Sequence, residues 1–305
     1  MEEILRLFPD DIKRKIDLQV GDWNELQEIR FRLYLPIELI FNNRTKLLKS
    51  IIPTKKDGLY LINQLSQFSL YRMEDELREG YITIEGGHRV GLAGKVNTLR
   101  GTVKAIQYIT FFNIRIAKQI PGISRTVLPH LYDQKNDSYY NTLIIGAPQT
   151  GKTTLIRDLA RSIASESSTF PTKKVGIIDE RSEIAASKNG IPQHNVGIRS
   201  DVMDACPKAE GMLMMIRSMS PEVIIVDEIG NSQDVHALME AIHAGVTIFC
   251  TIHGHSMIDL KARPSLRPLF EQHVFKRYVL LSRKGSPLIQ QILDNEEKIM
   301  RRALS

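Results

Sequence analysis

The chain has 305 residues, 42% of them hydrophobic and 25% charged, a balance that excludes a disordered or fibrous protein. That length suits about two domains. Its net charge of +6 comes from Lys and Arg scattered among acids; a strong nucleic-acid binder gathers them into a stripe, so nucleic acid is not the expected partner.

Residues 1–132 read as a small α+β domain. Ile29, Phe31 and Leu33 alternate with Arg30 and Arg32, the period-two pattern of a half-buried strand, and Ile37, Leu39 and Phe41 repeat it before an Asn42-Asn43 turn. Leu61, Leu65 and Phe68 predict a helix over Lys56–Tyr71, and Arg72–Glu79 predicts a second, closed by Gly80. Tyr81–Ile84, a Gly86-Gly87 turn and Arg89–Val96 predict a hairpin, and Thr102–Ile116 two further strands. The polar run at 133–138, Asp133–Ser138, predicts a linker.

From 139 to 305 the pattern changes. Apolar runs at Thr142–Ile145, Val175–Ile178, Val223–Val226 and Thr247–Ile252 alternate with helical stretches at Lys152–Ser165, Lys208–Met219 and Asp234–Ala244. Strands that are apolar throughout are covered on both faces, so the expected architecture is α/β with a mainly parallel sheet. Two cysteines, Cys206 and Cys250, are too few for a disulfide framework and fit a reducing compartment. No apolar run approaches the roughly 18 residues of a membrane span, and the start, Met1-Glu2-Glu3, is acidic where a leader is basic. A cytoplasmic protein that reaches a membrane only through a partner is expected.

Gly146, Ala147, Pro148, Gln149, Thr150, Gly151, Lys152 and Thr153 satisfy G-x-x-x-x-G-K-[ST] between an apolar run and a helical one, with Thr154 following. Such a loop turns successive backbone N–H groups toward phosphate oxygens at a helix N-terminus. Lys152 is expected on the β- and γ-phosphates and the Thr153 hydroxyl on Mg²⁺. Downstream, Val223–Val226 ends in Asp227 and Glu228. At the carboxyl end of a parallel strand, Asp227 would hold Mg²⁺ and Glu228 would polarise an attacking water. An intervening strand carries Asp179, Glu180 and Glu183, candidates to orient water or metal. This extra strand marks the branch of phosphate-loop proteins with RecA-like and AAA-type ATPase cores. It makes ATP the expected nucleotide, and no Asn-Lys-x-Asp guanine reader is present. Thr247–Ile252 ends in His253, placed to sense the γ-phosphate.

The phosphate loop, acid-bearing strand, Asp-Glu strand and strand-ending histidine together resemble the type II and type IV secretion ATPases. SMSPEVIIVDEIGN (Ser218–Asn231) and AGVTIFCTIHGHS (Ala244–Ser256) carry much of that likeness. Asp227 stands where those proteins typically have Gly, and Gly230-Asn231 replace an Arg-Asp pair. LQEIRFR (Leu26–Arg32), EGGHRVGLAGKV (Glu85–Val96), DERSEI (Asp179–Ile184) and the run Val196–Gly230 are similar to the stage III sporulation protein AA family of endospore-forming bacteria. The resemblance implies a RecA-like ATPase domain behind the smaller N-terminal domain. It further implies a homo-hexamer in the mother-cell cytoplasm that hydrolyses ATP for a channel complex between mother cell and forespore, docked on a membrane protein of that complex. It also implies a catalytic arginine from the N-terminal domain, Arg115 first and Arg89 second. A RecA-like nucleic-acid-associated ATPase and a nucleotide-dependent scaffold remain the alternatives.

Overall fold

The computed structural model describes residues 1–66, 77, 80–99, 101–166, 170–282 and 288–302. The helix expected over Arg72–Glu79 falls, Leu77 apart, outside these residues, as does the part of the preceding one beyond Ser66. The chain forms two compact units, Met1–Lys118 and Gln119–Ser305.

In the first unit, helices α1 (Glu2–Leu5), α2 (Asp10–Val20) and α3 (Lys55–Ser66) accompany an antiparallel sheet. Its strands are β1 (Leu26–Arg32), β2 (Ile37–Phe41), β3 (Thr45–Leu48), β4 (Tyr81–Thr83), β5 (Arg89–Leu99) and β6 (Thr102–Arg115), in the order β3-β2-β1-β6-β5-β4. Alternation sends Ile29 and Phe31 of β1, Leu39 of β2 and Phe112 and Ile114 of β6 into one core. Helix α2 adds Ile12, Ile16 and Val20, one apolar stripe at four-residue spacing. Phe31 packs against Phe8 and Phe112 with ring centroids 5.8 and 5.7 Å away. Instead of two strands, Thr102–Arg115 is one long strand that pairs along the whole of β5. From Gly94 and Ile109 outward, β5 and β6 pair with each other and, among the described residues, with no further strand.

The second unit begins well before the expected boundary. Val127 and the short helix α4 (Leu128–Leu131) contribute Leu128 and Leu131 to its core. The run at 133–138 is a hydrogen-bonded turn and not a linker: β7 (Tyr132–Asp133) pairs with β8 (Ser138–Tyr139). Asp133 accepts from the Lys135 N–H and the Asn136 side chain at 3.0 and 2.7 Å, so the run is polar because its side chains serve that turn.

Next come β9 (Thr142–Gly146), α5 (Lys152–Ile163), β10 (Val175–Asp179), β11 (Ser200–Asp204), α6 (Lys208–Met219), β12 (Val223–Val226), α7 (Ser232–His243) and β13 (Thr247–His253). The chain finishes with β14 (Arg277–Ser282), β15 (Leu288–Asp294) and β16 (Ile299–Arg302). The sheet runs β11-β10-β12-β13-β9-β14-β15-β16, parallel from β11 to β14 and antiparallel beyond. Successive residues of β12 serve opposite faces. Ile224 and Val226 meet Met212 and Met215 of α6 and Leu238 of α7, whereas Val223 and Ile225 share a core with Leu155, Ile156 and Leu159 of α5. Helices on both faces leave no side of the central strands for water, hence their unbroken apolar runs. The order brings the carboxyl ends of β9, β13, β12 and β10 side by side, where open α/β sheets bind ligands.

Candidate functional site

Backbone geometry dictates the loop from Gly146 to Gly151. A Cβ on Gly146 would lie 2.4 Å from the Thr150 hydroxyl and 3.3 Å from Leu281 Cβ, so the strand can end there only in glycine. The chain then turns through positive φ at Gln149 (64°) and Gly151 (89°), and the Thr150 hydroxyl closes the turn by donating to the Ala147 carbonyl at 2.8 Å. Helix α5 starts at Lys152 with no side chain capping its N-terminus. Its first N–H groups therefore face the cleft, a partial positive charge suited to an anion.

Lys152 is 6% exposed. Its Nζ donates to the carbonyls of Gly146 and Ala147, both at 3.0 Å, and to His253 Nδ1 at 2.9 Å. Burial pushes the ammonium pKa below its usual range, against the pull of Asp227, Glu228 and Glu183. Since the ammonium can only donate, His253 Nδ1 accepts and the ring proton sits on Nε2. Nε2 lies 3.0 Å from Glu228 Oε1, and the other carboxylate oxygen, Oε2, takes the Arg181 guanidinium at 2.9 Å. The result is one polar chain, Lys152–His253–Glu228–Arg181, across the ends of three strands.

The neighbouring acid completes a second cluster. The Thr153 hydroxyl donates to Asp227 Oδ2 at 2.8 Å, and the Thr251 hydroxyl donates to Asp227 Oδ1. The Thr251 oxygen accepts the Glu228 N–H at 2.9 Å, which fixes the backbone where Glu228 turns through φ = 54°, an uncommon conformation for a residue with a side chain. Hydroxyl and carboxylate oxygens 2.8 Å apart are the hard donors that Mg²⁺ takes.

These groups line an open cleft of about 490 Å³, formed by residues 148–154, Arg181, Glu183, Asp227, Glu228 and His253. That is within the size range of small-molecule sites. Of Asp179, which ends β10, and Glu180 and Glu183, which follow it, Glu183 alone lines this cleft. Asp179 is buried and turned into its own loop, accepting the N–H groups of Glu183, Ile184 and Ala185 at 2.7, 3.0 and 2.8 Å. Burial raises its pKa against those bonds. Glu180 pairs with Lys208. Asp179 is thus a structural acid, not one placed to orient a ligand. Arg115 belongs to the first unit, at the end of β6, in register with Glu28 and Arg89. Thr251 and Arg181 are not evident from the motifs. Thr251 sits two residues before His253 and so on the same side of β13, a spacing that could have revealed it.

Residues 1–300 match the family described as "Sporulation stage III, protein AA". The chain is 50% identical over 304 residues to stage III sporulation protein AA of Bacillus subtilis (strain 168), which covers 99% of this chain and 98% of that one. The chain belongs to the stage III sporulation protein AA family. This family member is also 24% identical over 271 residues to the uncharacterized protein ycf45 of Porphyra purpurea, spanning 88% of this chain and 43% of that one. Among solved structures, the Legionella pneumophila ATPase DotB aligns with a TM-score of 0.59 at 14% identity, covering 96% of this chain and 79% of that one. The pilus retraction motor PilT with bound ADP aligns with a TM-score of 0.62 at 17% identity, covering 96% and 83%. This chain therefore shares its RecA-like fold with DotB and PilT. No helix among the described residues is long and apolar enough to cross a membrane.

Proposed function

We propose that this protein binds Mg²⁺-ATP at the loop 146–151 and hydrolyses it to energise a secretion-like channel complex between mother cell and forespore. The observation that carries the reading is the meeting of an uncapped helix N-terminus, the Lys152–His253–Glu228 chain and the Thr153–Asp227 pair in one cleft. The N–H groups of residues 147–154 would hold the phosphates, with Lys152 on the β- and γ-oxygens. Thr153 and Asp227 would hold Mg²⁺, which would supply positive charge to offset that of the phosphates. Glu228 accepts a proton from water as the water oxygen bonds to the terminal phosphorus and the bond to the diphosphate breaks. His253 carries the link between Glu228 and Lys152, so loss of the terminal phosphate alters both ends of that chain. Glu183, on the cleft wall, is assigned to orienting water or metal. Arg115 is assigned to the charge developing on the terminal phosphate, in a protein that works as a homo-hexamer. The protein works in the mother-cell cytoplasm, docked on a membrane protein of the complex.

Calorimetry and phosphate release test the assignment. Lys152→Ala abolishes Mg²⁺-ATP binding, whereas Glu228→Gln binds within about threefold of wild type and loses turnover by at least 100-fold. Equal loss of binding in both variants would contradict the roles given to them.

A further inference from the structure

We propose that Thr251 is a positioning residue that brings two successive acids, Asp227 and Glu228, to one site and so sets its response to Mg²⁺. The inference rests on the ATPase reading above and deepens it. Side chains at successive positions of an extended strand point to opposite faces. Were the chain to run on straight past β12, Asp227 and Glu228 could not both face the phosphate loop, yet both line its cleft. The alternation is broken at Glu228, whose φ of 54° turns the backbone.

One residue of the neighbouring strand holds that turn. β12 and β13 run in parallel register as far as Val226 and Cys250, and from the next position Thr251 takes over. Its hydroxyl donates to Asp227 Oδ1, the same oxygen accepts the Glu228 N–H at 2.9 Å, and its carbonyl accepts the Ile229 N–H at 3.0 Å. Three consecutive residues are thus tied to one threonine, which is fully buried. Of side chains this small, one with a hydroxyl is needed to donate to a carboxylate and accept from an amide at once. With Oδ1 tied, the Asp227 carboxylate is kept from rotating, and Oδ2 stays beside the Thr153 hydroxyl, 2.8 Å away. The same threonine oxygen fixes the backbone from which Glu228 projects. One buried hydroxyl therefore serves the metal-holding acid and the water-activating acid together.

Calorimetry on the full chain measures affinity for a non-hydrolysable ATP analogue with Mg²⁺ and with EDTA, alongside steady-state phosphate release. Wild type gains affinity from Mg²⁺. Thr251→Val, of the same shape without the hydroxyl, lowers that gain about tenfold or more, while affinity in EDTA stays within about twofold. Its turnover falls by at least about tenfold. Thr251→Ala, measured alongside, leaves space where the valine methyl would press on the carboxylate, and shows the same losses. Thr251→Ser, which keeps the oxygen, folds and stays within about threefold of wild type in both measurements. In an Asp227→Asn background, Thr251→Val lowers the Mg²⁺ gain by less than about twofold more, because it acts through that acid. A role in packing alone would move the affinities in Mg²⁺ and in EDTA together and would ignore Asp227. An unchanged Mg²⁺ gain, equal losses with and without metal, additive losses in the Asp227→Asn background, or a serine variant as impaired as valine overturns the inference and leaves the ATPase reading standing. Wild type that takes up no analogue, or gains nothing from Mg²⁺, sinks both.

Discussion

Replacing Asp158 with Asn tests how the phosphate-loop helix is held. Asp158 lies on α5, one and a half turns beyond Lys152, and is buried. Its carboxylate accepts the Gly122 N–H at 3.0 Å, and the Ser124 N–H and hydroxyl at 2.8 and 2.7 Å. It also takes the Arg161 guanidinium, 2.8 Å from Nε and 2.7 Å from Nη2. Asn keeps the shape but turns one acceptor oxygen into an N–H₂ group, which faces donors. The variant therefore loses the ion pair and leaves a buried donor unmatched. Together these cost about 2–4 kcal/mol, given 1–3 for an unsatisfied buried group and a partly exposed pair. Burial alone would raise the Asp158 pKa, but the bonds from Ser124, Gly122 and Arg161 outweigh it and hold the carboxyl below its usual range. A depressed folded-state value means that the contribution is complete above the unfolded carboxyl's pKa and fades as pH falls through the folded one. The gap between wild type and Asp158→Asn should thus be widest at neutral pH and close in acid below about pH 4. Urea unfolding followed by far-UV circular dichroism is the suitable assay, because the single tryptophan, Trp23, lies in the first unit. A loss below about 0.5 kcal/mol at pH 7, or a gap that does not vary with pH, refutes the reasoning.

Two further outcomes are expected. In Gly146→Ala the new methyl would meet the Thr150 hydroxyl at 2.4 Å, which displaces the loop; stability falls by about 1–3 kcal/mol and calorimetry shows Mg²⁺-ATP binding weakened at least tenfold. Arg115→Ala keeps nucleotide affinity within about twofold and loses phosphate release by at least 100-fold, as expected of an arginine on developing phosphoryl charge.

How much of this was legible in the sequence follows from what each feature demands of its residues. A loop that must turn at positive φ and approach its own strand tolerates glycine at fixed places, so Gly146 and Gly151 stand out. Strands buried on both faces, β9, β10 and β12, carry unbroken runs of apolar residues through their middles and are equally plain. By contrast β11, Ser200–Asp204, is a half-exposed edge strand of mixed residues with neither a run nor a strict alternation to betray it. The run at 133–138 looked like a linker because a turn satisfied by its own side chains uses the same polar residues. Within the site, residue type and strand ends bring out Lys152, Thr153, Asp227, Glu228 and His253. Arg181 and Thr251 acquire meaning only through Glu228 and Asp227, partners distant in the chain. Asn231 accepts the Asp234 N–H at 2.9 Å and caps α7, a role that its residue type suits.

The long β5–β6 hairpin carries a hazard of its own. A ribbon that, among the described residues, outruns its neighbouring strands shows two rows of peptide groups unmatched by those strands, the template on which chains add to one another and aggregate. Here the ribbon is broken by three shifts in register, between Ala93 and Gly94, Lys95 and Val96, and Asn97 and Thr98. A Cβ at Gly94 would lie 1.7 Å from the Tyr108 carbonyl oxygen, so glycine is what admits the first of these kinks. Kinked edges flanked by Lys95 and Lys104 offer a stray strand no straight run to zip along. The irregular ladder thus makes this hairpin a poor template for a stray strand.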